Sequence, residues 1–312
     1  MSRSSSPNAP VMDVSFGADT FERLELDVPG ARVRLRPHAE GDRVHVRGFV
    51  SDADSEETAR DIFNRKGIST HQSGDRLHVY GNSLSETVED WRWRQTHRAA
   101  IDLDIYLPPD LDVTARAPGG ALDASDLAGT VDLTVMAGSA TAERLTGPLR
   151  VRGSGGTLTV RDGSGSSLDL QWSAGEVTLQ QLESDATTLQ ARAAPTTLRN
   201  IHGPVDVSVH GAPLDLRDVD GPCEARVHGG MLTYRGMPSH DTSLTTVGGP
   251  LHTHLPPAHA VELTLTGSRV GLDDAFAFDG EQTPQRIEGT LNGGGPHLHL
   301  RAVRGTAACR PQ

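Results

Sequence analysis

Arg199, Arg217 and Arg235 recur at one constant interval. Guanidinium forks match carboxylate and phosphate geometry, so one outward column of them would form a cationic ladder for a carboxylated or phosphorylated polymer. Arg161, His254 and Arg301 fall on the same slot of other segments. A plainer reading is a solvated face. Lys66 is the only lysine, so arginine is the default cation of this chain, and Asp215 and Asp218 lie close enough in sequence to pair with the column.

Other residues with chemistry to offer are sparser. His210 and His228 share a slot, and His252 and His254 alternate on one outward face. Stacked imidazoles can hold a metal, yet no carboxylate or cysteine shares their slot, so a surface role is the simpler reading and no metal or cofactor is expected. Trp91 and Trp93, in EDWRWRQTHR, would either stack on sugar rings or cap one end of a β-structure. Cys223 and Cys309 fall on inward slots of second strands, where a free thiol behaves as a small hydrophobe. Two cysteines in 312 residues make neither a disulfide framework nor a zinc motif. Asp273, Asp274 and Glu281 are the carboxylates that glycoside or uronate chemistry would use. The sequence holds no G-x-S-x-G elbow, P-loop or H-E-x-x-H pair. No catalytic residue is assigned, and the chain is expected not to be an enzyme.

The elements that position these residues repeat. Eight units of 17–19 residues follow one another from residue 121 to 268, among them PTTLRNIHGPVDVSVHGA from 195 and PLDLRDVDGPCEARVHGG from 213. Each begins with a short strand carrying two alternating apolar residues, such as Leu214 and Leu216. A corner follows, then a third apolar residue such as Val219, then a turn such as Asp220-Gly221-Pro222. A second strand alternates in the same way, as Val205, Val207 and Val209 do. A small-residue pair closes the unit, such as Gly229-Gly230. Period-two alternation excludes helices. The return of one residue class every 18–19 positions is what a winding chain needs and a meander does not. A single unit cannot bury its own apolar face, so stability must come from stacking on neighbours.

The pattern loosens at the ends. Residues 269–296 form a longer unit whose 273–285 segment, with Phe276 and Phe278, is expected to bulge as a loop. HLHLRAVRGTA, from His297, matches the first half of the unit at Pro213, with Leu298, Leu300 and Val303 on the slots of Leu214, Leu216 and Val219. Upstream, Leu24, Leu26 and Val28, then Val33 and Leu35, then Val44 and Val46 read as short strands. SEETARDIFNRKG has acids early, bases late and Gly67 last, which predicts one helix near 55–66. Residues 1–11 are polar and expected to be disordered.

Composition narrows the function. Hydrophobic residues make up 36% of the chain, aromatics 4%, and there are 34 glycines, which suits a thin core with frequent turns. A formal net charge of −12 argues against nucleic-acid binding. No apolar run is long enough to span a membrane. MSRSSSPNAP lacks the apolar stretch of a secretory signal, so a cytoplasmic location is expected.

The segment LPPDLDVTARAPGGALDASDLAGTVDLTV (107–135), the repeats PVDVSVHGAPLDLRDVDGP and PCEARVHGG, and IEGTLNGGGPHLHLRAVRG (287–305) resemble the bacterial putative-adhesin β-strand-repeat family, domain-of-unknown-function family 4097. The likeness covers about residues 101–312 and, more loosely, 20–50. It implies a β-solenoid without established catalytic residues, and its label implies surface binding. Bactofilins, which form β-helical polymers, are a more distant likeness.

The expected fold is therefore mainly β. A parallel β-solenoid of about 18–19 residues per coil would run over 119–312, after an N-terminal β-rich cap at 12–118 that carries the helix. The expected function is binding or scaffolding, with an unidentified protein or an anionic polysaccharide as partner. The alternatives are a carbohydrate-active β-helix enzyme, and a cytoskeletal scaffold that self-associates through the solenoid ends.

Overall fold

A computed structural model describes residues 9–18, 21–39, 41–51, 53, 55–82, 100–165 and 167–312. Trp91 and Trp93, and residues 1–8 of the expected tail, lie outside the described residues. The chain is mainly β with one helix, its strand pairing is mostly parallel, and it divides into two compact units, Met1–Gly153 and Ser154–Gln312.

The strands of the first unit are β1 (Met12–Gly17), β2 (Arg23–Asp27), β3 (Ala31–Pro37), β4 (Arg43–Val50), β5 (Ser69–Ser73), β6 (Arg76–Tyr80), β7 (Ile101–Leu107), β8 (Asp112–Arg116), β9 (Ala121–Ser125), β10 (Val131–Met136), β11 (Ser139–Glu143) and β12 (Leu149–Ser154). Helix α1 (Glu56–Lys66) starts where Ser55 Oγ accepts the Thr58 N–H at 3.1 Å. It ends where left-handed Gly67, at φ 56°, donates its N–H to Asn64 O. Its charge order complements the helix dipole, and Ala59, Ile62 and Phe63 are its buried residues.

Parallel pairing begins well before residue 119. Strand β2 lies between β6 and β8, and β3 lies between β7 and β9, all in parallel register. Strands β8 and β9 continue into β10 and β11. Leu24/Leu26 and Val33/Leu35, on either side of Pro29-Gly30, follow the same two-strand grammar as the later repeats, and all four are buried. Antiparallel strands flank these layers: β4 pairs with β7, β1 with β4, and β5 with β6.

The second unit holds β13 (Thr157–Gly163), β14 (Leu168–Ser173), β15 (Glu176–Glu183), β16 (Thr187–Arg192), β17 (Thr196–His202), β18 (Val205–His210), β19 (Leu214–Asp220), β20 (Cys223–His228), β21 (Leu232–Arg235), β22 (Thr242–Val247), β23 (Leu251–Leu255), β24 (Val261–Leu272), β25 (Phe278–Gln282), β26 (Arg286–Leu291) and β27 (His297–Pro311). Odd-numbered strands from β13 to β23 pair in parallel as one series. Even-numbered strands from β14 to β22 form another. Leu216, Val207 and Val227 are 0% exposed, while Asp215, Arg217 and Ser208 are half-exposed, which fixes the alternation phase.

Two expectations about the far end are corrected. The 273–285 segment is not a bulging loop. It contains β25, which pairs antiparallel with β26, as β26 does with β24. The other concerns HLHLRAVRGTA. Leu298 and Leu300 face Thr242 and Leu244 of the even series, and the odd series is reached only afterwards, where Ala307 faces Leu251. A period of two places apolar residues inward on either series, so alternation cannot choose between them. Strand β24 pairs with the other edge of β27, so the last strand in the chain lies between β22/β23 and β24.

The corners use left-handed backbone on non-glycine residues. Asp162, Gln181, Asn200 and Asp218 have φ of 51–54°, and Ala174 and Ala193 have 61° and 49°. Each of Gln181, Asn200 and Asp218 inserts a second outward residue in a row, after which Leu182, Ile201 and Val219 point inward again and are buried. At Gly203 (φ +107°) the requirement is stricter, because an added Cβ would lie 1.9 Å from Ser184 O. Gly203→Ala is expected to cost well over the roughly 1–3 kcal/mol of backbone strain, since the clash is with the backbone of the adjacent layer. Gly211→Ala, at φ +71° with nothing within 4 Å of its Cβ, should cost only about 1 kcal/mol. Urea melts of the two variants provide the check. Equal shifts would contradict the close approach at Gly203.

Candidate binding face

Beside the corner residues Asp162, Gln181, Asn200 and Asp218, the outward residues of the odd series in the second unit form three columns. The first runs Arg161, Gln180, Arg199, Arg217, Arg235, His254 and Arg310 on successive rungs. The second runs Thr159, Thr178, Thr197, Asp215, Thr233, His252 and Ala308 on the same strands. The third holds Pro195, Pro213, Met231 and Pro250, aligned by backbone hydrogen bonds that link neighbouring rungs. Arg301 is not in the arginine column, because it faces Thr245 of the even series; Arg310 takes the rung after His254 instead.

Arg199, Arg217 and Arg235 do stack in register, but they are not equivalent. Arg217 bonds Asp215 through Nε at 3.0 Å and Nη2 at 2.5 Å, and Arg235 reaches the other Asp215 oxygen from Nη1 at 3.1 Å. One carboxylate thus bridges two guanidinium groups and relieves their repulsion. The bond to Asp215 raises the Arg217 pKa above its ordinary value. Among the described residues, Arg199 and Arg310 make no side-chain hydrogen bond or ion pair, and both are exposed.

The histidines are arranged as the spacing suggested. His210 and His228 are exposed and stack with ring centroids 4.8 Å apart and planes 5° from parallel. Arg192 and Val247 occupy the rungs on either side. Among the described residues, no group of three or more His, Cys, Asp or Glu is placed to hold a metal ion. His252 is half-buried, and its pKa lies below the ordinary value, first through burial and then through Arg310 and His254. Burial pushes the Cys223 and Cys309 thiols up to about 12, so neither forms thiolate readily.

Asp273 turns inward to its own turn, accepting the Ala275 N–H at 3.0 Å, and Glu281 lies on exposed β25. Carboxylates do gather elsewhere. Asp206, Glu224 and Asp241 line an open groove of about 430 Å³ across the starts of the even strands, together with Ala186, Pro204 and Pro222. Arg226 pairs with Glu224 and lies 4.0 Å from Asp206, and Asp241 accepts the His297 N–H at 3.1 Å. Ser239 bonds Asp220 and stands 3.0 Å from His240 Nδ1. Its one proton goes to the carboxylate, so it is not paired with a base as an activated nucleophile is.

Sequence reasoning missed the groove and a charge network in the first unit. There Arg34 lies 2.8 Å from Asp104 and 3.5 Å from Asp102, and Arg36 grips Asp123 with two bonds of 3.2 and 2.9 Å. The signal was the alternation of Arg32, Arg34 and Arg36 against Asp102 and Asp104, which becomes legible only once β3 is known to pair with β7.

No family model matches this chain, and no curated protein matches it. Among solved structures it aligns with a putative cell adhesion protein from Clostridium sporogenes ATCC 15579, at 10% identity over 97% of this chain and 100% of that one, with a TM-score of 0.24. It also aligns with a putative adhesin from Bacteroides fragilis NCTC 9343, at 8% identity over 96% of each chain, with a TM-score of 0.37.

Proposed function

We propose that this chain is a non-enzymatic binding or scaffold protein, wound as a parallel β-solenoid with one repeat unit per coil, and that its odd-series face holds an anionic polymer. The two parallel series, their constant inward phase and the corners that return in successive units support the winding. The observation that carries the binding reading is electrostatic. The odd-series outward face from Arg161 to Arg310 holds five arginines against Asp162, Glu176, Asp215 and Asp218, a small positive balance in a chain whose net charge is −12. A cationic strip on an acidic protein concentrates anions where the surrounding surface repels them.

The test is binding of the whole chain to acidic polysaccharides, polyphosphate and neutral glucan at low and moderate salt. Salt-sensitive binding confined to the anionic polymers is expected. Binding to none of them would reject the reading. A second reading, a carbohydrate-active enzyme, is favoured by the three carboxylates of the groove. The same incubations, assayed for new reducing ends, separate the two, because a binding protein leaves the polymer length unchanged.

A further inference from the structure

We infer that the ligand is a linear acidic polysaccharide lying across the strands, gripped near its two ends by Arg199 and Arg310, which flank Arg217 and Arg235, rather than by that inner pair. This rests on the binding reading above. Asp215 occupies Nε and Nη2 of Arg217 and Nη1 of Arg235, so the central pair is already neutralised in part and held in place. Arg199 and Arg310 keep all their donors, and four rungs separate them. At about 4.8 Å per rung their backbones lie roughly 19 Å apart. Only an extended ligand reaches both.

The neighbouring columns select the polymer. Half-exposed Thr178 and Thr197 run beside the arginines, and Pro195, Pro213, Met231 and Pro250 run on the far side of that column. Met231 is 43% exposed, a large apolar side chain open to solvent. A uronate chain presents three chemistries together: carboxylates, hydroxyls and the apolar C–H faces of its rings. Each has a column here. Polyphosphate offers charge alone and would leave the apolar strip unused. At the Arg310 end, His252 and His254 alternate on β23, and Asp273 follows Leu272, which pairs with Cys309. Asp273 makes no ion pair with Arg310, and its carboxylate is turned to Ala275. The depressed His252 pKa keeps that ring neutral near pH 7, suited to exchanging hydrogen bonds with sugar hydroxyls.

The experiment is calorimetric titration of the full chain with polygalacturonate, with graded oligogalacturonates and with polyphosphate. Three variants accompany it: Arg199→Ala/Arg310→Ala, Arg217→Ala/Arg235→Ala and Met231→Ser, each checked for parent-like circular dichroism. The end variant should weaken polygalacturonate binding by roughly tenfold or more. The middle variant should stay within about threefold, since Asp215 already competes for those groups. Oligomers too short to span four rungs should bind as weakly as the end variant. Met231→Ser should weaken polygalacturonate and leave polyphosphate unaffected. Loss on the middle variant with retention on the end variant would overturn this inference while leaving the binding reading intact. Equal affinity for polyphosphate would overturn the choice of polymer. No binding of any polyanion by the parent chain would sink both.

Discussion

Leu216→Asp should destabilise the protein by about 4 kcal/mol or more, a large share of the roughly 5–15 kcal/mol that holds a domain together. Leu216 is 0% exposed, and its rung neighbours Leu198 and Tyr234 are equally buried. A carboxylate there would be stripped of water between the Leu198 and Tyr234 side chains. Asp215→Ala, one residue away, changes an outward group. It removes the bridge between Arg217 and Arg235, a half-exposed arrangement that contributes at most about 1 kcal/mol. Urea unfolding of the two variants measures the contrast. A Leu216→Asp protein melting with the parent would show that the inward phase is misassigned, and with it every outward column of the candidate face.

Removal of residues 297–312 should do more damage than any single substitution. Strand β27 pairs with β22 and β23 along one edge and with β24 along the other. Without it, two sets of backbone N–H and C=O groups lose their partners at once. The antiparallel group of β24, β25 and β26 loses the strand that joins it to β22 and β23. Buried Leu298, Leu300, Ala307 and Cys309 also leave the core. The expected result is early proteolysis throughout residues 242–291 and self-association through the opened edges. Hydrogen exchange would follow this strand by strand. Parent-like protection of β22 and β23 in the shortened chain would disprove the interleaved arrangement.

Much of the local structure was legible in the sequence because local rules set it. Alternation gave the inward residues of β17 to β20, since a strand has only two faces. The acid-to-base order and Gly67 gave α1 its ends. What escaped was pairing between distant segments. Nothing in Leu24, Leu26, Val33 or Leu35 says that β2 and β3 slip between strands made some 50–90 residues later. Leu298 and Leu300 satisfy either series equally well, so spacing alone puts Arg301 in the wrong column. Phe276 and Phe278, set among Asp273, Asp274 and Gly280, look like a loop until β26 is there to pair with β25. On the candidate face, the 18-residue spacing puts Arg199, Arg217 and Arg235 in one register, as their pairing has them. Spacing could name Asp215 as a partner but could not show that it would serve Arg217 and Arg235 together and leave Arg199 free, because that depends on where flexible side chains end.

From β16 to β20 every strand pairs only with the strands two before and two after it in the chain. A copying error that duplicates or drops one whole repeat unit therefore creates no new kind of junction, since each layer meets a neighbour of the same build. The last strands allow no such freedom, because β24 and β27 are interleaved and lengthening one leaves the other short. Inheritance can thus adjust the distance between Arg199 and Arg310 in steps of about 4.8 Å. Under the proposed binding, the middle of the repeat is a ruler whose length can be matched to the polymer, with its far end fixed by β24 and β27.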